Sequence, residues 1–234
     1  MAWLNVCHDT PEALAQACAD ALQAAATEAV KARGQAQFAL AGGRTPLPAL
    51  RRWAAQASID ARIAITLTDE RWVPADHPAC NLSRLQACFS AGTGPRWRPL
   101  VPAQPGTEPD LGTARDSLGL LAAPWDLVLL GMGEDGHIAS LFPNDPNLAG
   151  AMDPANLSDA VVARPRPLPP EVPYPRISQT LARLLRSRRR LLLVTGDSKR
   201  ALIERAQAAP DPLRWPVSAL LHAPGPAVEI HWSP

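Results

Sequence analysis

Four short apolar runs in this chain each stop at a turn rich in glycine or charge. Gln37 to Ala41 runs into Gly42-Gly43-Arg44-Thr45-Pro46, and Ile63 to Leu67 runs into Thr68-Asp69-Glu70-Arg71. Asp126 to Leu130 runs into Gly131-Met132-Gly133-Glu134-Asp135-Gly136-His137, and Arg190 to Val194 into Thr195-Gly196-Asp197-Ser198-Lys199. Runs of this length between such turns read as buried strands. Helical patterns lie between them. Thr10-Pro11 supplies an N-cap and a first-turn proline for an alanine-rich helix expected to end at Arg33, with Gly34 as its stop. Thr45-Pro46 repeats that cap signal, and Asn81 to Phe89, Asp110 to Leu121, Leu181 to Ser187 and a segment running through Ala206 also read as helical. Val228 to Trp232 alternates and is expected to be an edge strand. Strands alternating with helices imply an α/β fold with a mainly parallel sheet covered on both faces. In such a sheet the four turns share the carboxyl edge, where open α/β sheets bind their ligands.

Composition removes several other classes. The chain has 234 residues, enough for one sizeable domain over 1–234, and its hydrophobic share of 47% is that of a globular protein. A net charge of +1 argues against a nucleic-acid protein working through a broad basic face. Arg183, Arg186, Arg188, Arg189 and Arg190 do cluster, and are expected at the solvated end of a helix. The cysteines Cys7, Cys18, Cys80 and Cys88 show neither a CxxC pair nor a metal-ligand spacing, as reduced thiols of a cytoplasmic protein would. No signal peptide opens the chain and no apolar stretch is long enough to span a bilayer. Residues 164–175 contain six prolines. They exclude regular helix and central strand, and are expected to form a loop within one domain.

The turns themselves carry chemistry. Gly42 and Gly43 let the backbone approach an anion, and a helix beginning near Thr45 points free N–H groups at it. Arg71 and Lys199 add fixed positive charge. This is a phosphate site without a P-loop, because neither G-x-x-x-x-G-K-[ST] nor a G-x-G-x-x-G at the first strand turn occurs. Asp135, two residues before His137 on a backbone bent by glycine, suggests an acid–base pair. His77 follows Arg71 in a loop and has a minor claim on substrate. His8, His222 and His231 stand without a motif and are taken as structural or surface residues. Each part alone has a plain structural explanation; their convergence on one sheet edge is the stronger signal.

Gly42-Gly43-Arg44-Thr45-Pro46, Asp69-Glu70-Arg71-Trp72-Val73-Pro74, Asn81, Gly131 to Pro143, Arg176-Ile177-Ser178 and Thr195-Gly196-Asp197-Ser198-Lys199 occur in this order. The ordered set resembles the 6-phosphogluconolactonase family from about Ala41 to Ser218. The resemblance implies a three-layer, Rossmann-like α/β sandwich, as in glucosamine-6-phosphate deaminase and ribose-5-phosphate isomerase. It also implies hydrolysis of 6-phospho-D-glucono-1,5-lactone, the second step of the oxidative pentose phosphate pathway, with no metal or organic cofactor. Carried over residue by residue, His137 becomes the general base and Asp135 its orienting partner. An imidazole ordinarily titrates near pH ~6.5 and so suits that role. Backbone N–H groups of the glycine turn become candidates for an oxyanion hole. Gly42, Gly43, Arg44, Thr45, Asp69, Arg71, Asn81, Arg176 and Lys199 become substrate and phosphate contacts.

Two positions depart from the family pattern. Arg44 stands where Gly-Gly-Ser-Thr-Pro has serine, and Ser178 where threonine is common. The expected partner is a small phosphorylated lactone, with no nucleic acid and no membrane, acting on a monomer or homodimer. A glucosamine-6-phosphate deaminase would continue its histidine motif into Phe-Asn-Glu-Pro and read Asp-Glu-Tyr at the second strand end. This chain has Ile-Ala-Ser-Leu-Phe-Pro and Asp-Glu-Arg. A non-catalytic sugar-phosphate sensor would need an attached partner segment and would be expected to lose the histidine.

Overall fold

The computed structural model describes residues 3–56, 59–89, 94–121, 124–170 and 172–234. The chain opens with a strand that its sequence did not signal, β1 (Trp3–Cys7), and enters helix α1 (Pro11–Arg33). Thr10 caps α1 from extended backbone, its Oγ1 accepting the N–H of Ala13 at 3.1 Å. Gly34 ends the helix in the left-handed region at φ 74, its N–H donating to Val30 O at 2.8 Å. The chain continues through β2 (Ala36–Leu40), α2 (Pro46–Gln56), β3 (Ile63–Leu67), the short β4 (Asp69–Arg71), α3 (Asn81–Gln86) and β5 (Arg96–Arg98). There follow α4 (Gly112–Gly119), β6 (Leu127–Gly131), α5 (Leu148–Ala151), β7 (Ala160–Ala163), β8 (Arg176–Gln179) and α6 (Leu181–Leu185). The last elements are β9 (Arg190–Thr195), α7 (Asp197–Ala208), α8 (Val217–Leu221) and β10 (Val228–Ser233).

Among the described residues, seven strands form a parallel sheet in the order β1-β10-β9-β6-β2-β3-β5. Every residue of β2 and β3 is buried, as strands covered on both faces must be. Helices flank the sheet: α1 packs on α2, β2 and β10, while α7 packs on β9 and α8. Trp53 of α2 is fully buried against Phe38 of β2, and its Nε1 donates to Gln23 Oε1 at 3.1 Å. The expected α/β sandwich is therefore present. No helix among the described residues is long and apolar enough to cross a membrane.

Strand β10 corrects the expectation of an edge. It lies between β1 and β9, and β1 takes the edge. Alternation reports which face of a strand is covered, and says nothing of whether its backbone is paired on both sides. Glu229, the charged residue of β10, is tolerated inside the sheet because Arg189 engages its carboxylate at 2.8 Å.

The arginine cluster is a second correction, because two of its members are buried. Arg183 is 1% exposed and stacks over the Trp125 ring at 3.7 Å. Arg190 is 2% exposed and donates to Ser187 Oγ and to the carbonyls of Leu185, Pro224 and Pro226. Carbonyls and a hydroxyl replace water around Arg190, whereas Arg183 relies on the indole face and on the Asp159 carboxylate 3.8 Å from its Nε.

Two features of the topology place the site. The chain leaves β2 for β3 on one side and leaves β6 for β9 on the other, so a crevice opens between the carboxyl ends of β2 and β6. A second, antiparallel sheet, β4-β8-β7, stands beside it. Its register sets Asp69 opposite Ser178 and Arg71 opposite Arg176.

Candidate active site

The crevice is a cleft of about 750 Å³. Five basic side chains (Arg44, Arg71, Arg84, Arg176, Lys199) and two carboxylates (Asp69, Glu134) line it, so it favours an anion. Gly43, Thr45, Asn81 and His137 line it as well. Of the residues proposed from sequence, only Gly42 and Asp135 lie behind the lining.

The turn after β6 builds the histidine pair. Gly133 N–H donates to His137 O at 3.0 Å, and Gly136 N–H donates to Gly133 O at 3.1 Å. Gly136 sits at φ 80, where side-chain-bearing residues are strained. This closure brings the Asp135 Oδ1 within 2.6 Å of His137 Nδ1, and the same oxygen accepts the His137 N–H at 3.2 Å. A carboxylate only accepts, so Nδ1 carries the ring proton and Nε2 of the neutral ring is left as a base. Burial works to raise the Asp135 pKa, but the hydrogen bond and charge of His137 outweigh it and hold the carboxyl below its ordinary 3.8. The His137 ring rests on Phe142, with centroids 4.1 Å apart.

Part of the expected oxyanion hole is already engaged in this turn. The N–H groups of Gly133, Gly136 and His137 are all engaged within it.

Gly42 also has a different reason to be glycine. A Cβ there would lie 2.5 Å from the side chain of Asn81, so the missing side chain makes room for Asn81. Asn81 is buried, and its Nδ2 donates to Asp69 O at 3.3 Å.

Two hydroxyls hold the Asp69 carboxylate. Ser140 Oγ donates to its Oδ2 at 2.6 Å and Thr68 Oγ1 to its Oδ1 at 3.1 Å. The Ser140 N–H in turn donates to Ser178 Oγ at 3.1 Å, so Ser178 acts on the backbone of the histidine loop. Ala139, between His137 and Ser140, sits at φ 49, a left-handed conformation that is uncommon for a residue with a Cβ.

Lys199, at the start of α7, lies 3.8 Å from Glu134 Oε1, and Ser198 Oγ donates to Glu134 Oε2 at 3.0 Å. Arg44 is exposed at the mouth. Arg71 Nη1 donates to Ala79 O at 2.7 Å. Arg176 is 4% exposed, donates to the carbonyls of Tyr174 and Val172, and lies 4.9 Å over the Phe142 ring. Burial pushes its pKa below the ordinary guanidinium value; Asp69 opposes that shift and Arg71 adds to it.

Glu70, which the sequence reading left without a role, supports this wall. Its carboxylate accepts the N–H groups of Arg71 and Asn81 at 2.8 Å and of Leu82 at 2.7 Å. It caps α3 from a neighbouring strand, since the cap residue Cys80 makes no side-chain capping bond. No local signal marks such a cap. Burial raises the Glu70 pKa above its ordinary 4.5, although the three N–H groups lower it.

Glu70→Ala leaves three buried donors without a partner and is expected to destabilise the chain by about 3 kcal/mol in urea unfolding at pH 7. A group whose folded pKa is raised contributes most at or below its unfolded value, and loses that contribution as pH rises through the folded one. The deficit of the variant should therefore widen as pH falls from 7 toward the ordinary 4.5. An unchanged midpoint at both values would remove the capping role.

Among the described residues, no group of three or more His, Cys, Asp or Glu side chains is placed to hold a metal ion. His8 and His231 pair with each other at 3.0 Å, and His222 meets Ala206 O at 2.9 Å; none of the three lines the cleft.

A doubly wound parallel sheet with a basic cleft and an oriented imidazole at its switch point defines an α/β protein built to act on a small anionic molecule. The chain belongs to the glucosamine-6-phosphate isomerases/6-phosphogluconolactonase family, which it matches over residues 9–232. It is 35% identical over 207 residues to a 6-phosphogluconolactonase of Pseudomonas putida, covering 88% of this chain and 83% of that one. It is 37% identical over 225 residues to a 6-phosphogluconolactonase of Caulobacter vibrioides, covering 95% and 94%. The crystal structure of a 6-phosphogluconolactonase from Shewanella baltica matches with a TM-score of 0.89 at 32% identity, over 99% of this chain and 98% of that chain.

Proposed function

We propose that residues 1–234 form a single cytoplasmic catalytic domain that hydrolyses 6-phospho-D-glucono-1,5-lactone to 6-phosphogluconate, the second step of the oxidative pentose phosphate pathway. The observation that carries this reading is the Asp135–His137 pair, with the imidazole facing a cleft rich in cations. His137 Nε2 takes a proton from water as the water oxygen bonds to the lactone carbonyl carbon. Asp135 stabilises the imidazolium that forms. The tetrahedral oxyanion then re-forms its carbonyl and expels the ring oxygen, which receives the proton from His137. The carboxylic acid released ionises at neutral pH. The phosphate, remote from the reacting carbon, is held by Lys199 and the arginines with the turn at Gly43 to Thr45, and this fixes the carbonyl against the base.

Two observations favour this over the deaminase. The first carboxylate after His137 is Asp145, which does not line the cleft. Its oxygens accept the N–H groups of Asn147 at 2.8 Å and Arg164 at 2.6 Å. It is therefore committed to the backbone and unavailable to open a sugar ring. The second strand end presents Arg71, a cation, where the deaminase pattern has tyrosine.

The test is a lactone assay, with substrate generated in situ and its loss followed above the spontaneous rate. Lys199→Ala is expected to raise KM by about 10- to 100-fold with little change in kcat, as loss of a charged contact to the remote phosphate requires. An unchanged KM would take Lys199 out of the phosphate site. No acceleration by the wild-type chain would overturn the lactonase reading.

A further inference from the structure

Two loops hold the opposed arginines of the cleft, and a contact outside the cleft ties those loops together. His77 lies half-buried in the loop between β4 and α3. Its Nδ1 accepts the N–H of Ala79 at 3.0 Å. That nitrogen carries no proton, so the hydrogen of the neutral ring sits on Nε2. Nε2 lies 3.3 Å from the hydroxyl of Tyr174, and the two rings meet edge to face with centroids 5.1 Å apart. Tyr174 belongs to the proline-rich segment and is the one tyrosine of the chain.

Each end of this contact leads to an arginine. Ala79, whose N–H His77 takes, gives its carbonyl to Arg71 Nη1 at 2.7 Å. Tyr174 gives its own carbonyl to Arg176 Nη1, and Val172 gives its carbonyl to Arg176 Nη2, both at 3.1 Å. Arg71 and Arg176 face each other directly across β4 and β8. Like charges so placed repel. The β4–β8 ladder fixes the two backbones, and the loop carbonyls hold the guanidinium heads apart when no anion lies between them.

We propose that His77 and Tyr174 form a positioning pair that sets the separation of Arg71 and Arg176 for a phosphorylated sugar. The inference rests on the phosphate-site reading above. Neither side chain lines the cleft, so the pair acts through the arginines and not on the substrate. Its effect falls on binding, since arginines already in place need less ordering when the anion arrives. The chemical step is untouched, because His137 is fixed by Asp135 and by its own turn.

Tyr174→Phe removes one oxygen and keeps the edge-to-face packing. His77→Ala removes the whole side-chain tether while the backbone bond from Trp72 N–H to Pro175 O stays in place, and His77→Asn returns an acceptor close to the position of Nδ1. KM and kcat are measured on the lactone, and dissociation constants for 6-phosphogluconate and for inorganic phosphate by calorimetry. Loss of one hydrogen bond is expected to raise KM and both dissociation constants about 3- to 5-fold in Tyr174→Phe, and loss of the tether about 10-fold in His77→Ala, with kcat within about 2-fold. His77→Asn should recover part of the loss. The double variant should be no worse than His77→Ala, because one broken tether cannot be broken again.

Wild-type binding in both single variants would overturn the proposal. So would losses confined to kcat or to the melting temperature, or additive losses in the double variant. A wild-type chain that binds phosphate but leaves the lactone intact would sink the lactonase reading alone, and the phosphate constants of the variants would then decide the role of the pair. A wild-type chain that binds neither ligand would overturn both.

Discussion

His137→Ala is expected to lower kcat on the phosphorylated lactone by about 10²- to 10⁴-fold, the usual contribution of a positioned general base. KM should stay within a factor of about three, because the cations that hold the phosphate are untouched. The ring is held by the 2.6 Å contact to Asp135 and by Phe142, and neither supports the sheet, so the variant should fold and melt like the parent. The measurement is lactone loss above the spontaneous background, at enzyme concentrations high enough to see a residual rate. Near-normal turnover would take His137 out of the reaction and move attention to the other groups of the cleft.

Gly133→Ala should be nearly as damaging without removing any functional group. A Cβ at Gly133 would lie 2.2 Å from both Cε1 and Nδ1 of His137 and 2.7 Å from Asp135 Oδ1. Gly133 is not in the left-handed region, so alanine is compatible with the backbone and the conflict is with the imidazole and the carboxylate that holds it. The ring lies between this glycine and Phe142 and must shift by about 1 Å, a displacement that typically costs about 10²-fold in rate. The expected result is a kcat/KM lowered by about that factor with a melting temperature close to the parent's. Wild-type kcat/KM would mean that the observed ring position is not the one catalysis uses.

Both predictions concern contacts that span a few residues, and such contacts are the ones a sequence displays. The Thr10 cap and the Gly34 stop of α1 were readable because capping acts within one helical turn. The four parallel strands ending in glycine or charge were readable because burial on both faces leaves an apolar run. Strand β8 was not readable. Its residues, Arg176 to Gln179, are polar at three of four positions yet all buried. Carbonyls of Tyr174 and Val172 satisfy Arg176, and Gln179 Nε2 donates to Leu67 O at 2.7 Å. None of these carbonyl partners, two, four and 112 residues away, leaves a periodicity in the sequence. The same reason hid the buried arginines Arg183 and Arg190, whose charge suggested solvent.

The sequence by itself determined the local machinery. The i, i+2 spacing and the glycines around it bring Asp135 to His137, and short-range sterics leave that turn little freedom. It also determined that the ligand-bearing turns share one edge, because parallel strands end together. Only the tertiary structure decided what those turns meet. It set Arg71 against Arg176 through a second sheet, gave Gly42 its neighbour Asn81, and made Glu70 a cap for α3 and Ser140 a clamp on Asp69. Each of these joins segments that lie far apart along the chain or in separate elements. Their geometry follows from how the sheets and helices pack, which no local pattern of residue types records.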